Sequence, residues 1–217
     1  MGKLIDKGKR ELARRKRATR KERILAEARR SFERLPFVDV TMDSIGHAAK
    51  VDRGVASMYF KSKEGIFLLL LKDELDEWLS ALATELEQSG KPRSARLLAS
   101  LLAESLATRP RLTRFLSLAP VVFEQNLEVI EVFRFQRWRR DRMMEVGEMV
   151  DAAAGPICGG GARLLHLIQL IAAGLEPLAH PKGTVAYELA DPDFAMLRID
   201  LRDELESLIA ALLEPTP

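Results

Sequence analysis

With a single cysteine, Cys158, the chain of 217 residues has nothing with which to close an internal disulfide. That suits a reducing compartment, and the lone thiol is read as buried and inert rather than as a redox sensor. Histidine is nearly as scarce: His47, His166 and His180 are the only three, and none stands with an acid at metal-ligand spacing. No glycine-rich phosphate loop follows a strand and no nucleophile elbow is present, so the reading includes no catalysis, no metal and no cofactor. Gly159-Gly160-Gly161 reads as a helix break. No apolar run reaches bilayer-spanning length, and the basic N-terminus lacks the apolar core of a secretory signal. A cytoplasmic protein without a membrane partner is therefore expected. Period-two runs of β-branched residues are missing as well, and no internal repeat is visible, which leaves an all-α chain.

What is present is ordinary in bulk and uneven in distribution. Hydrophobic content of 47% with 30% charged residues is that of a folded chain. The net charge of +2 hides an asymmetry: residues 1–65 carry 18 Lys/Arg and 9 Asp/Glu, the remainder 16 and 23. A head at +9 on a body at −7 fits polyanion binding by the head alone. Residues 1–18, rich in lysine and arginine and relieved only by Asp6 and Glu11, read as a basic flexible arm.

Local patterns then place the helices. Thr19-Arg20-Lys21-Glu22 has capping-box spacing, and Ile24, Leu25, Ala28, Phe32 and Leu35 follow as the buried stripe of a first helix that Pro36 ends. Thr41 caps a second, short helix holding Ile45, Ala48 and Ala49 inward. Lys50-Val51-Asp52 makes a turn, and Asp52 caps a third helix from about Arg53 to Phe60. Ala56 and Phe60 face inward there, leaving Arg53, Val55, Ser57, Met58 and Tyr59 outward. This is a helix-turn-helix, whose second helix suits a DNA major groove. Ser62 caps a fourth helix that continues to Ser89. Beyond Pro92 the pattern predicts helices over 94–107, 111–123, 127–153, 160–179 and 193–213. The last two are apolar enough to be shared between two chains, so homodimerisation through about 160–179 and 193–213 is expected.

These residues resemble the TetR family of bacterial repressors. Thr41, Ile45, Ala49, Val51, Gly54, Tyr59, Phe60, Lys63 and Glu64 match its pattern without a gap, and Ile24, Leu25, Ala28 and Phe32 match upstream. Coverage is residues 20–67. Lys50 replaces the usual turn glycine, which predicts a left-handed lysine or a reshaped turn. Asp52 replaces a serine cap, Gly46 a helix alanine and Val55 a frequent threonine. Ser57 stands where the family often has a phosphate-touching tyrosine. The resemblance implies a DNA-binding domain over 19–67 and a helical effector-binding and dimerisation domain over 68–217. Its implied function is a ligand-responsive repressor that binds a palindromic operator in double-stranded DNA as a dimer.

On that reading Arg53 makes bidentate hydrogen bonds to guanine, and Val55 and Met58 meet thymine methyls. Gly54 lets the backbone approach closely, while Thr41, Tyr59 and Lys63 hold phosphates, with Ser57 beside them. Candidate liners of an effector pocket are Phe115, Phe123, Gln125, Asn126, Phe133, Trp138, Met143, His166 and Gln169, apolar walls with a few polar groups. Arg134, Arg137, Arg139, Arg140 and Arg142 crowd one helix and read as a solvated face, with an anionic effector as the bolder alternative. A competing reading is a helical interaction protein whose basic head binds nucleic acid or membrane without any ligand switch. RNA is disfavoured because exposed aromatics on a sheet or loops are missing.

Overall fold

The computed structural model describes residues 2–89, 93–155, 157 and 159–214, with side chains from Arg17 onward except Ser89 and Glu124. The reading of Cys158 lies outside the described residues. Two compact units divide the chain, Met1–Leu70 and Leu71–Pro217, and the described residues hold helices and no strand.

In the first unit, α1 (Gly2–Arg34) begins far ahead of the expected cap at Thr19. The residues before Thr19 are mostly Lys, Arg, Leu, Ala and Glu, good helix formers uninterrupted by proline. The segment expected as a flexible arm therefore carries helical backbone from Gly2. Ile24, Ala28 and Phe32 recur every fourth residue and are fully or almost fully buried, each large side chain contributing about 1.5–3 kcal/mol. Leu35, expected on that stripe, is exposed because the helix has ended before Pro36. A 3-10 turn, Phe37–Asp39, leads to α2 (Met42–Ala48) and α3 (Arg53–Ser57). Phe32 and Phe37 both pack on Phe67, with ring centroids 5.5 and 5.1 Å away. Phe67 lies early in α4 (Lys63–Ser89), which Ser62 caps by accepting from the Gly65 amide at 3.2 Å.

The second unit contains the later turns of α4 and α5 (Ala95–Ala107), α6 (Pro110–Leu118), α7 (Val129–Ala154), α8 (Gly160–Ala179), α9 (Thr184–Glu188) and α10 (Leu201–Leu213). Its core includes Leu75, Trp78 and Leu79 of α4, buried leucines of α5, and Leu205 and Ile209 of α10, all without exposed surface. Trp78 keeps its polar handle satisfied by donating to Ser105 at 2.9 Å. The helix expected over 111–123 changes character at Leu118, where a π turn, Ala119–Phe123, takes over. Pro120 has no amide hydrogen to give the ladder, so the helix widens there. The expected 193–213 helix is likewise two pieces, a 3-10 turn at Pro192–Leu197 and then α10. Asp200 restarts the chain by accepting from the Arg202 and Asp203 amides, both at 3.0 Å.

Helices α7 and α8 cross in backbone contact. A Cβ on Gly161 would sit 2.2 Å from the Gly147 carbonyl oxygen, and one on Gly147 only 2.4 Å from the Ala162 nitrogen. Asp151 fastens the same crossing by accepting from the Gly161 amide at 2.8 Å. By length and composition α8 is apolar enough to cross a bilayer, contrary to the sequence expectation. Its two buried polar residues have partners in the fold, however. Gln169 donates to the Leu165 carbonyl at 2.9 Å, and Glu176 accepts from Thr113 of α6 at 2.6 Å.

Candidate nucleic-acid interface

Local chemistry fixes the helix-turn-helix. Thr41 Oγ1 accepts from the Ser44 amide and Ser44 Oγ accepts from the Thr41 amide, both at 3.0 Å, a reciprocal cap on α2. Ile45 and Ala49 turn inward as expected, whereas Ala48 is exposed. At the turn Lys50 adopts φ 54°, the left-handed conformation that its substitution for glycine called for. Gly46 has a packing reason: its Cβ would lie 3.1 Å from the Val51 carbonyl oxygen, so α2 and the turn approach closely there.

Helix α3 is shorter than the sequence suggested, ending at Ser57 rather than near Phe60. Ala56 is buried in its middle, and the Tyr59 and Phe60 amides both return to the Ala56 carbonyl at 3.0 and 3.1 Å. That doubled acceptor tightens the chain so that Phe60 also points into the core. Asp52 occupies the cap position without a side-chain cap bond, so only its extended backbone starts the helix. The outward set is well separated from the core. Arg53, Gly54, Ser57 and Met58 are exposed, Met58 to 73%, while Val55 and Tyr59 are half-buried. Thr41 is exposed as well, at the start of α2.

Two residues behave in ways the sequence did not reveal. The Arg53 guanidinium donates to Asp43 of α2 at 3.3 Å, so the candidate base-reading group is tethered to the neighbouring helix. Lys63 turns inward: its Nζ donates to the carbonyls of Phe37 and Val40 at 3.1 and 2.8 Å and sits 4.3 Å over the Phe37 ring. It holds the 3-10 turn that delivers the chain to Thr41. Neither partner is visible in spacing, because Asp43 and the two carbonyls come from distant turns of the chain.

In the second unit a cavity of about 120 Å³ is walled by Leu71, Leu75, Leu116, Pro120 and Phe135, with Gln136, Arg139 and Gln169 as its polar groups. The Arg139 fork donates to Gln169 Oε1 at 3.2 Å and Gln136 Oε1 at 3.4 Å, and meets His166 Nδ1 at 3.0 Å. Nδ1 must accept there, so the ring proton belongs on Nε2. Burial, then the charges of Arg139 and Arg163, hold the His166 pKa below its ordinary value. Gln169 Nε2 completes the cluster by donating to the Leu165 carbonyl at 2.9 Å and to Met143 Sδ at 3.3 Å.

Of the candidate liners, the fold gathers Met143, His166 and Gln169 around Arg139. Phe115 and Phe123 are fully buried against each other at 6.2 Å. Gln125 and Asn126 lie exposed on the turn after α6, bonded to the carbonyls of Pro120 and Val122. Phe133 is exposed, and Trp138 stacks near Phe135 with Lys72 4.2 Å over its ring. Arg139 itself was read as part of a solvated arginine face; the face it shares with Gln169 emerges only once α7 and α8 are paired. A wider groove of about 470 Å³ near Trp78 has two of its arginines engaged by its own acids, Arg202 with Glu104 and Arg93 with Glu85, while Arg109 donates to the Ser105 carbonyl at 2.7 Å.

Comparisons with known proteins fit this architecture. A family model described as "Bacterial regulatory proteins, tetR family" matches residues 24–70, and one described as "Tetracyclin repressor-like, C-terminal domain" matches residues 72–214. No curated protein matches the chain. Among solved structures, the Thermus thermophilus FadR repressor in complex with lauroyl-CoA is 21% identical with a TM-score of 0.56, covering 91% of this chain and 98% of its own. A TetR regulator from Rhodococcus sp. RHA1 is 17% identical with a TM-score of 0.53, covering 91% and 95%. FadR from Bacillus subtilis in complex with stearoyl-CoA is 14% identical at a TM-score of 0.50, covering 88% and 96%. At these identities the likeness is one of fold.

Proposed function

The chain belongs to the tetR family of bacterial regulatory proteins, and on that premise we propose how it reads DNA and what releases it. It is a DNA-binding transcriptional regulator. In our reading a homodimer places two copies of α3 in successive major grooves of a palindromic operator. Arg53 recognises guanine, Met58 and Val55 contact thymine methyls, and Gly54 lets the backbone come close. Thr41 and Tyr59 meet phosphates, Ser57 faces the DNA beside them, and the cations of residues 1–17 add non-specific attraction. Lys63 is assigned a positioning role, through the turn that presents Thr41. The observation that carries this reading is the exposure of Arg53, Gly54 and Ser57 on one short helix, with Met58 exposed at its C-cap. Selection of bound fragments from random genomic DNA tests it. A single enriched palindrome is expected, with Arg53→Ala losing about 1–3 kcal/mol of preference at one base pair per half-site. Failure to enrich any sequence, or equal weakening on every sequence, refutes the assignment.

For the dimer we propose the outer faces of α8 and α10. Leu170 and Leu178 on α8 and Leu208 on α10 are large and exposed, and the exposed Gly174 between the first two allows close helix approach. For the effector we propose an acid with an apolar body, its anion drawn to Arg139 in the small cavity. Two similar structures hold acyl-CoA, which has that chemistry. A cavity of 120 Å³ has room for about four waters' worth of matter, so a longer ligand enters only by parting the helices around it. The π turn at Pro120 forms part of that wall and is its least regular element. A ligand that needs the parted state favours it by linkage, and operator affinity falls accordingly. Titrating operator complexes with fatty acids and acyl-CoAs tests this: release is expected, and Arg139→Ala should abolish it. Release that is unchanged in Arg139→Ala would remove the anion site from the reading. The site of action follows as the bacterial cytoplasm, where the operator DNA lies.

A further inference from the structure

The groove of about 470 Å³ near Trp78 runs between α4 and α5, with Arg202 of α10 on its rim. Trp78 closes the bottom, fully buried and donating to Ser105 at 2.9 Å. Ala81 of α4 and Ser100 of α5 line the groove with short side chains, which leave open the space that bulkier residues would fill. It shares no lining residue with the cavity beside Arg139, which borders Leu71 and Leu75 of α4, whereas the groove begins in the turns that follow. Its charges are not balanced. Glu85 meets Arg93 at 3.4 Å and Glu104 meets Arg202, so both carboxylates have a cation. Arg109 is half-buried and donates to the Ser105 carbonyl at 2.7 Å, and among the described residues no carboxylate pairs with it. The groove thus holds one spare guanidinium beside the apolar side chains of Leu82 and Leu101.

We propose that this groove is a second small-molecule site, which takes an amphipathic organic anion. The carboxylate of the ligand pairs with the Arg109 fork, a match of planar partners, and its apolar body covers Ala81, Leu82 and Leu101. The sign of the ligand follows from the inventory: a cation would find both acids already engaged, whereas an anion finds Arg109 without one. Size agrees as well. A volume of 470 Å³ lies within the roughly 300–1,000 Å³ of small-molecule pockets, so a ligand enters without parting the helices. The inference stands on the groove alone and needs neither the Arg139 assignment nor a dimer.

Isothermal titration calorimetry on the full chain tests the site with phenylbutanoate and with phenylbutanol, its uncharged counterpart. The acid should bind once per chain with a dissociation constant of about 1 mM or below, and the alcohol at least about tenfold more weakly. Arg109→Gln should reduce the acid to the level of the alcohol. Ala81→Leu/Ser100→Leu fills the groove and should abolish binding of both; the Ser100 hydroxyl has no hydrogen bond among the described residues, so none is lost. Far-UV circular dichroism checks the helix content of each variant. One variant acts on charge and the other on space, so either decides if its companion fails to fold. Equal affinity for acid and alcohol refutes the anion, and no heat of binding from either compound refutes the site. Acid binding that survives both groove variants but falls in Arg139→Ala places the anion in the smaller cavity; that overturns the groove and leaves the Arg139 reading standing.

Discussion

Replacing Gly161 by alanine is a single-methyl experiment on the crossing of α7 and α8. The new Cβ would stand 2.2 Å from the Gly147 carbonyl oxygen and 3.0 Å from both the Gly147 carbonyl carbon and the Val150 Cβ. Ordinary van der Waals contact begins near 3.4 Å, so the helices must part by more than 1 Å. The obstacle is backbone, which cannot rotate aside as a side chain does. A gap of about 1 Å forfeits roughly a quarter to a half of each dispersion contact along the seam. Overpacking of this type costs about 3 kcal/mol at its upper range, and the better helix propensity of alanine returns about 1 kcal/mol. The net loss is about 2 kcal/mol, a fall of roughly 4–8 °C in melting temperature for a chain of this size. Thermal unfolding followed by far-UV circular dichroism, at one fixed protein concentration, measures it. Gly54→Ala is the matched control, because a Cβ there meets nothing within 4 Å. Its melt should hold or rise. A Gly161→Ala melt within about 1 °C of the parent would show that the two backbones are not in contact.

Three further outcomes follow from the same geometry. Lys50→Gly removes a side chain from a φ of 54° and should stabilise the first unit by about 1 kcal/mol in chemical denaturation; a loss of stability would refute the strain assignment. Lys63→Met deprives two carbonyls of their donor and should destabilise the first unit by about 1–3 kcal/mol. Well below its melt the variant should keep the parent's slope of log affinity against log salt, whereas a slope lowered by about 1 would return Lys63 to the phosphate contacts. His166 has a folded pKa below the ordinary value, so between the two values the unfolded chain binds the extra proton. Stability from this group is fully present above about pH 6.5 and is lost as pH falls toward the folded value. His166→Gln should flatten that part of the stability profile, and an unaltered profile would exclude His166 as its source.

Much of the first unit was legible before any coordinates. The Ile24–Ala28–Phe32 stripe, the Thr41 and Ser62 caps and the left-handed lysine at the turn depend on neighbours within a turn or two, where sequence speaks directly. Errors arose where a local signal competed with another. Thr19 has cap spacing, but the residues before it form helix equally well, so no boundary results. Asp200 was read as mid-helix although it is also a good cap, and capping won. The α3 boundary was misjudged because Phe60 lies one turn beyond Ala56 whether the chain stays helical or tightens. Long-range partners were the least accessible part of the candidate site. Nothing in spacing pairs Arg139 with Gln169, or Arg53 with Asp43; those meetings are properties of packed helices.

If Arg53 reads a base as proposed, its pairing with Asp43 gives sequence reading and overall attraction different responses to ionic strength. Both side chains lie mostly in solvent, so dissolved ions weaken their mutual pull. On that proposal, added salt loosens the arginine for its base edge while it erodes the attraction of the basic head to phosphates. The two trends oppose each other at this one position. Rising salt should thin out binding everywhere on the chromosome faster than it blurs the choice between a correct and an incorrect guanine step, leaving a regulator that grows more selective as it grows less sticky.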